Sequence, residues 1–331
     1  MTAASLPQIL LASPLPDAEV ERSLRADETV SIIDPELAGE HPLMAGLAIA
    51  DGVIVQGSVP LTRELIEAAS ALRVIGTTGS GFDNIDVSAA TARGILVVNG
   101  TGIAPHAVAE YAVGAMVAAH RGLLFLHQEV TGGEVQWRER LTRYIGQELT
   151  DTTLGVVGYG YIGRLVAAKA RSAFGVDVLV FDPFAEVQET DGVAAVTELD
   201  ELLRRSDTVT VHVPYSPQTE LLIGERELAL MRPSAVLIDT ARGRIVDEDA
   251  LLSALQTGRL RGAVLDVFSS EPPSPELVAR LAATPRLLVT PHVAGVTTRA
   301  MRLLAENVVE QVRMALRGDR PTQLVNPEVL R

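Results

Sequence analysis

The chain has 331 residues, no cysteine and a net charge of −14, from 28 Lys and Arg set against 42 Asp and Glu. A single lysine, Lys169, is present, so arginine carries the positive charge. Thiol nucleophiles, thiolate zinc sites and disulfides are excluded, and lysine Schiff-base or P-loop chemistry has almost no residue to work with. An acidic chain lacks the basic patch that nucleic acid or an anionic membrane requires, so the expected partners are small molecules and other protein chains. A hydrophobic fraction of 47% at this length is that of a packed protein of two domains. Met1 to Ser13 has no basic segment followed by an apolar run, and no stretch approaches the length of a membrane span, so a cytoplasmic protein with no metal site is expected.

In chain order, short β-branched runs at Ile9 to Ala12, Val30 to Ile33, Val53 to Gln56, Arg73 to Gly76 and Ile95 to Asn99 read as strands. Helix-like stretches such as Thr62 to Ala71 separate them, which implies parallel βαβ units and one doubly wound sheet. Ala104 to Phe125 is nearly free of charge and rich in Ala, with Pro105 near its start, and reads as one long buried or interface helix. A second series follows, with strands at Leu154 to Val157, Asp177 to Phe181, Thr208 to Val213, Ala235 to Asp239, Gly262 to Val267 and Leu287 to Thr290. Six strands suit a dinucleotide-binding sheet. The last helical run, Thr298 to Leu316, is expected to return to the first domain. The predicted organisation is therefore α/β with two doubly wound parallel-sheet domains: a flavodoxin-like substrate domain over 1–100 plus 297–331, and a Rossmann domain over 101–296.

Gly158, Gly160 and Gly163 form a GxGxxG motif between an apolar strand and an apolar helix. The first permits a tight turn, the second a close approach of backbone to pyrophosphate, and the third close helix–strand packing. Anions would sit on the amides of the helix that starts near Tyr161. Asp182 closes the next strand about 20 residues on, where an acid bonds ribose hydroxyls and repels a 2′-phosphate. Pro183 and Phe184 follow it, with no arginine to reverse that preference, so NAD is the expected cofactor.

Of six histidines, His41 and His212 read as structural, and His120 with His127, seven apart on one helix, as packing or interface residues. His106 opens the long helix as a candidate substrate contact. His292 follows the last strand in Thr290-Pro-His-Val-Ala-Gly295, outside a carboxyl end, where sheets of this kind bind ligands. Asp239-Thr-Ala-Arg-Gly-Arg244 and Leu265-Asp-Val-Phe-Ser-Ser-Glu-Pro272 end at the same edge. A 2-oxo acid needs a cation for its carboxylate and carbonyl and a proton donor for the alkoxide. Arg242 suits the first role and His292 the second, with Glu271 the carboxylate that fixes its tautomer.

These residues resemble the D-isomer-specific 2-hydroxyacid dehydrogenase family, which includes 3-phosphoglycerate dehydrogenases, glyoxylate and hydroxypyruvate reductases and D-lactate dehydrogenases. The resemblance runs along almost the whole chain, through Gly79-Ser-Gly-Phe-Asp-Asn-Ile-Asp86, Val108-Ala-Glu110, the glycine motif, His212-Val-Pro214, Asp239-Thr-Ala-Arg-Gly243 with Ile245-Val-Asp247, Leu265-Asp-Val267, Glu271-Pro272 and Pro291-His292. It implies that Arg242 binds the substrate, His292 is the acid/base, and Glu271 orients His292 and supports its charge. It implies further that Asp266 and the backbone around Thr240 and Ala241 hold the nicotinamide carboxamide, and that Gly295 lies on the cofactor side. Tyr161 and Ile162 would meet the pyrophosphate and Val213 and Pro214 border the adenine. Amides of Gly79, Ser80 and Gly81 would take the substrate carboxylate.

Two departures bear on the substrate. Phosphoglycerate-using relatives often carry an arginine where this chain has Gln56, and Ala104-Pro-His106 stands where the family commonly has a different sequence. Arg138, Arg140 and Arg143 read equally as substrate cations or as a solvated or dimer-facing arm. The resemblance also covers formate dehydrogenases, which replace the Glu partner by an amide; Glu271 argues against that branch. The expected activity is NAD-dependent reduction of a small 2-oxo acid. The alternatives are 3-phosphoglycerate oxidation and, from another class, an NADH-sensing corepressor-like interaction protein. That class carries extra tails, whereas this chain stops at Arg331. A homodimer joined through Ala104 to Phe125 and the arm after it is expected, because an apolar helix needs cover.

Overall fold

The computed structural model describes residues 6–34, 42–57, 59–188 and 192–330. The chain divides into two compact units, Met1–Ala104 with Val296–Arg331, and Pro105–Gly295. Sequence reasoning divides it at 100/101 and 296/297, a few residues away. His41 and Ser58 lie outside the described residues.

The first unit is built on strands β1 (Gln8–Leu11), β2 (Ser31–Ile33), β3 (Gly52–Val55), β4 (Val74–Thr77) and β5 (Leu96–Val98), all parallel in the order β2-β1-β3-β4-β5. This is the flavodoxin-like order, with its switch point between β1 and β3. Strand side chains alternate between two buried faces, as a sheet covered on both sides demands. Leu10, Val53, Val55, Ile75 and Val97 pack with Leu47, Ile66 and Ala89 on one face. Ile9, Leu11, Ile54, Val74 and Val98 pack with Leu24, Val308, Val312 and Leu316 on the other. The terminal helix Thr298–Arg317 thus returns to this sheet. It starts with the Thr297 side chain accepting from the Ala300 amide and stops at Gly318, where φ is 85°.

The second unit holds β6 (Thr153–Val157), β7 (Asp177–Phe181), β8 (Val193–Ala195), β9 (Thr208–Val211), β10 (Val236–Asp239), β11 (Gly262–Leu265) and β12 (Leu287–Val289), parallel in the order β12-β11-β10-β9-β6-β7-β8. Counted within the unit this is the Rossmann order extended by one strand, with the switch point between β6 and β9. Seven strands replace the six expected. The one missed is β8, whose three residues are half-buried or exposed and mostly alanine, a residue depleted in strands.

The apolar stretch expected as one helix from Ala104 to Phe125 is two. Pro105–Arg121 ends before Gly122, where φ is 61°, and Leu123–Gly132 follows. His120 and His127 therefore sit on different helices. His120 is buried, with Nε2 2.7 Å from Thr208 Oγ1, and burial lowers its pKa. His127 is exposed. The first helix already has cover, because Ala109, Ala112, Ala115 and Met116 pack with Val166, Ala167 and Ala170 of the helix Tyr161–Phe174. Lys169 ties the same two helices through Glu110, at 3.0 Å. The exposed large apolar side chains begin after the break, at Leu123, and continue through Trp137, Leu141 and Ile145.

Candidate active site

The glycine loop between β6 and its helix is shaped by two contacts. Gly158 has φ 93°, and a Cβ there would lie 2.8 Å from the His212 carbonyl carbon. A Cβ on Gly163 would lie 2.1 Å from the Gly158 oxygen, so the helix can approach the strand only if both residues are glycine. A Cβ on Gly160 would meet nothing within 4 Å, which leaves that side of the loop open. Gly160 caps the helix with no side-chain hydrogen bond, so no capping side chain occupies the first-turn amides at Tyr161, Ile162 and Gly163, the kind of group that can donate to an anion. Asp182 Oδ2 accepts from the Tyr159 amide at 2.7 Å and Oδ1 from the Phe184 amide at 2.9 Å. Each oxygen keeps a second lone pair, enough to accept from a ribose hydroxyl. Amides, an open face and an acid at the end of β7 fit a dinucleotide.

After β9, Val213 is half-buried and Pro214 exposed. The preceding His212 sits with Nε2 2.9 Å from Thr210 Oγ1, and burial pushes its ring down to about 3, which makes it no proton carrier near neutrality. A buried pair of polar groups stands at the end of β10, Asp239 as its last residue and Thr240 next. Asp239 Oδ1 accepts from the Ala241 amide at 2.8 Å, while Asp239 Oδ2 and Thr240 Oγ1 have no hydrogen-bond partner among the described residues. Burial pushes the Asp239 carboxyl up to about 7. Half-buried Arg242 follows, its Nη1 donating to the Ala241 oxygen at 2.7 Å. A Cβ on Gly243 would lie 1.9 Å from the Phe268 carbonyl carbon, so this glycine lets the arginine loop press on the segment that leads to Glu271.

The histidine and its carboxylate meet directly. His292 Nδ1 is 2.7 Å from Glu271 Oε2, and Glu271 Oε1 accepts from the Phe268 amide at 3.1 Å. A carboxylate that accepts at Nδ1 places that nitrogen's proton and leaves Nε2 to face a reactant. Side-chain exposures of 46% for His292 and 38% for Glu271 keep the pair open to a ligand. His292 takes φ 55°, in the left-handed region, and Asp266 latches that turn. The Asp266 oxygen accepts from the His292 amide at 2.7 Å, Oδ1 from the Val293 amide at 2.9 Å and Oδ2 from the Ala294 amide at 2.7 Å. Gly295 follows, with Val108 Cγ2 3.6 Å from where its Cβ would be.

The Rossmann unit thus holds the glycine loop, Asp182, Arg242, Asp266, Glu271 and His292 on the carboxyl side of one sheet. His106 is exposed in the first turn of Pro105–Arg121. Gly79, Ser80 and Gly81 belong to the other unit, where they follow β4 in a loop braced by Asn99 Nδ2 on the Ser80 oxygen and by the Gly100 amide on the Gly79 oxygen, both at 2.8 Å. Gln56, after β3, gives its Nε2 to the Pro14 oxygen at 2.6 Å. In the exposed arm, Arg143 bonds Glu129 at 3.2 Å and Arg140 the Trp137 oxygen at 3.0 Å. Sequence reasoning passed over Tyr111, whose hydroxyl meets Thr290, and the buried Asp239 carboxyl. Tyr111 directly follows the Val108-Ala-Glu110 motif, which was its one available signal.

Residues 113–294 match the family described as D-isomer specific 2-hydroxyacid dehydrogenase, NAD binding domain. The D-3-phosphoglycerate dehydrogenase of Methanocaldococcus jannaschii is 40% identical over 289 residues, 87% of this chain and 54% of that protein. The chain spans about half the length of that relative. The glyoxylate reductase of Thermococcus litoralis is 32% identical over 330 residues, 98% of each chain. Among solved structures, the D-lactate dehydrogenase of Aquifex aeolicus complexed with NAD and lactic acid superposes with a TM-score of 0.82 at 28% identity, covering 96% of this chain and 98% of that one. The chain belongs to the D-isomer-specific 2-hydroxyacid dehydrogenase family, and its second unit carries that family's NAD-binding domain.

Proposed function

We propose that the protein is an NAD-dependent reductase of small 2-oxo acids, working reversibly on the corresponding D-2-hydroxy acids. The observation that carries this reading is the 2.7 Å contact of His292 Nδ1 with Glu271 Oε2 at the carboxyl edge of an NAD-binding sheet. Glycine-loop amides at Tyr161, Ile162 and Gly163 hold the pyrophosphate and Asp182 the adenosine ribose, with Val213 and Pro214 along the adenine. Thr240, Ala241, Asp266 and Gly295 line the nicotinamide side. The reduced nicotinamide supplies the hydride that goes to the keto carbon. Arg242 holds the substrate carboxylate and carbonyl oxygen through its planar fork. His106 contacts the substrate from the start of its helix. His292 Nε2 delivers the proton to the carbonyl oxygen as it gains charge, and Glu271 stabilises the doubly protonated ring before transfer.

Gln56 favours an unphosphorylated substrate such as glyoxylate or hydroxypyruvate, since a neutral amide bonded to a carbonyl offers no charge to a phosphate. The second reading, 3-phosphoglycerate oxidation, has the likeness to the Methanocaldococcus enzyme in its favour. A panel of 2-oxo acids that includes phosphohydroxypyruvate, followed by NADH absorbance, tests both. Turnover of an unphosphorylated acid supports the first reading; turnover of the phosphorylated one alone supports the second. Absence of any turnover with NADH bound removes both and leaves the NADH-sensing alternative.

The arm from Leu123 to Ile145 is the proposed homodimer contact, since Trp137, Leu141 and Ile145 are each about two-thirds exposed or more. Sedimentation at micromolar concentration is expected to give a dimer, and a monomer throughout would refute it. We place the enzyme in the cytoplasm, which cell fractionation tests. No helix among the described residues is long and apolar enough to cross a membrane.

A further inference from the structure

Tyr111 stands on the helix Pro105–Arg121, with no part in the reaction above. Its hydroxyl lies 2.5 Å from Thr290 Oγ1, which lies 2.6 Å from Asp266 Oδ1. The order of donors in this chain is determined by valence. A carboxylate only accepts, so the one Thr290 proton points to Asp266, and Tyr111 must donate into Thr290. Burial pushes the Tyr111 pKa up, which preserves it as a donor. At the other end, Asp266 holds the Val293 and Ala294 amides, the two that follow His292, while its backbone oxygen holds the His292 amide itself. A histidine at φ 55° is in a costly conformation and stays there only where its surroundings fix it.

We propose that Tyr111 and Thr290 are positioning residues, forming a hydrogen-bonded strut that holds Asp266 and, through it, sets the place of the His292 imidazole. Glu271 fixes the ring from its Nδ1 side; the strut fixes the backbone beneath it. Without the Tyr111 hydroxyl, Thr290 Oγ1 loses its incoming donor. Without the Thr290 hydroxyl, Asp266 Oδ1 loses one of its two donors. In both cases the turn relaxes and Nε2 drifts from the line of proton transfer, where a shift of about 1 Å is costly. The proposal rests on the reading of His292 as the acid/base group.

The test uses three variants of the full chain: Thr290→Val, which keeps the shape and removes the hydroxyl, Thr290→Ser, which keeps the hydroxyl, and Tyr111→Phe. The His292 Cε1 proton resonance, assigned by its loss in His292→Gln, is followed by NMR titration in coenzyme-free protein, together with kcat and KM. Thr290→Val and Tyr111→Phe should move the titration of that resonance and lower kcat about tenfold with a smaller change in KM, while Thr290→Ser matches wild type. An unchanged His292 titration in Thr290→Val and Tyr111→Phe would overturn the strut, even if both melt at lower temperature. The NMR reading needs no turnover, so it decides the strut separately from the proposed activity.

Discussion

The two units share one architecture and differ in what stands at the carboxyl ends of their strands. In the first unit the residues directly after β1, β3, β4 and β5 are Ala12, Gln56, Thr78 and Asn99, none of them charged, while Asp34 after the edge strand β2 is tied up by Arg25 at 2.6 Å, and the loops there bond their own backbone. In the Rossmann unit the same positions bring Asp182 after β7, His212 after β9 and Asp266 after β11, with Asp239 as the last residue of β10 and Arg242, Glu271 and His292 shortly beyond. The hydrophobic alternation that builds both sheets is alike, and it says nothing about chemistry. The candidate chemistry sits at one strand edge as titratable side chains, and the other edge carries neutral amides and hydroxyls.

The contrast breaks first at Arg242. Arg242→Ala should lower kcat/KM for a 2-oxo acid by about 10³, because a developing alkoxide loses its cation, with NADH affinity unchanged; a loss under tenfold would place the substrate elsewhere. Next comes Glu271→Gln, which keeps the shape and removes the charge facing His292. A fall in kcat of about 10 to 100-fold and a displaced pH profile are expected, since a carboxylate partner both orients the ring and stabilises its charged form. An unaltered profile would reduce Glu271 to a packing role.

A smaller effect, on stability, comes from Asp239. Its carboxyl titrates near 7 in the folded chain and near 3.8 when exposed, so the unfolded state loses its proton first as pH rises. The stability that this group contributes is therefore full below about pH 4 and lost progressively as pH climbs through 7. Asp239→Asn should remove that loss, giving melting temperatures that converge with wild type at low pH and exceed it at pH 8. Parallel curves for the two proteins would show that the buried oxygen finds a partner of its own. The smallest expected effect sharpens the neutral side. Gln56→Arg should raise kcat/KM for a phosphorylated 2-oxo acid relative to its unphosphorylated counterpart by about tenfold. No change in that ratio would mean that residue 56 does not face the distal end of the substrate.

The sequence made legible whatever depends on pattern or on a glycine. The strand runs were legible because β-branched residues cluster there, and the GxGxxG motif because its spacing between an apolar strand and an apolar helix is itself a pattern. Strand β8 was not, since Val193–Ala195 has neither length nor β-branched content to mark it. The helix break was hidden too: Gly122 in an Ala-rich run reads as a tolerated small residue until its φ of 61° is known. Arg242, Glu271 and His292 were placed by their positions after successive strands, whereas Tyr111 and Thr290 were not, because a hydrogen bond across 179 positions has no local signature. The proposed dimer contact begins later along the chain than expected, for a related reason. The helix Pro105–Arg121 has its cover within the chain, which composition alone could not reveal.

The central claim is that charge placed at one strand edge turns an NAD-binding sheet into a proton and hydride machine, and His292→Gln tests it most directly. Wild type and variant are compared for NADH consumption across unphosphorylated 2-oxo acids, with NADH affinity measured in parallel by fluorescence. Wild type should turn over at least one acid, and the variant should lose about 10³ or more of that rate at equal NADH affinity. A variant that reduces the same acid at the wild-type rate would contradict the claim.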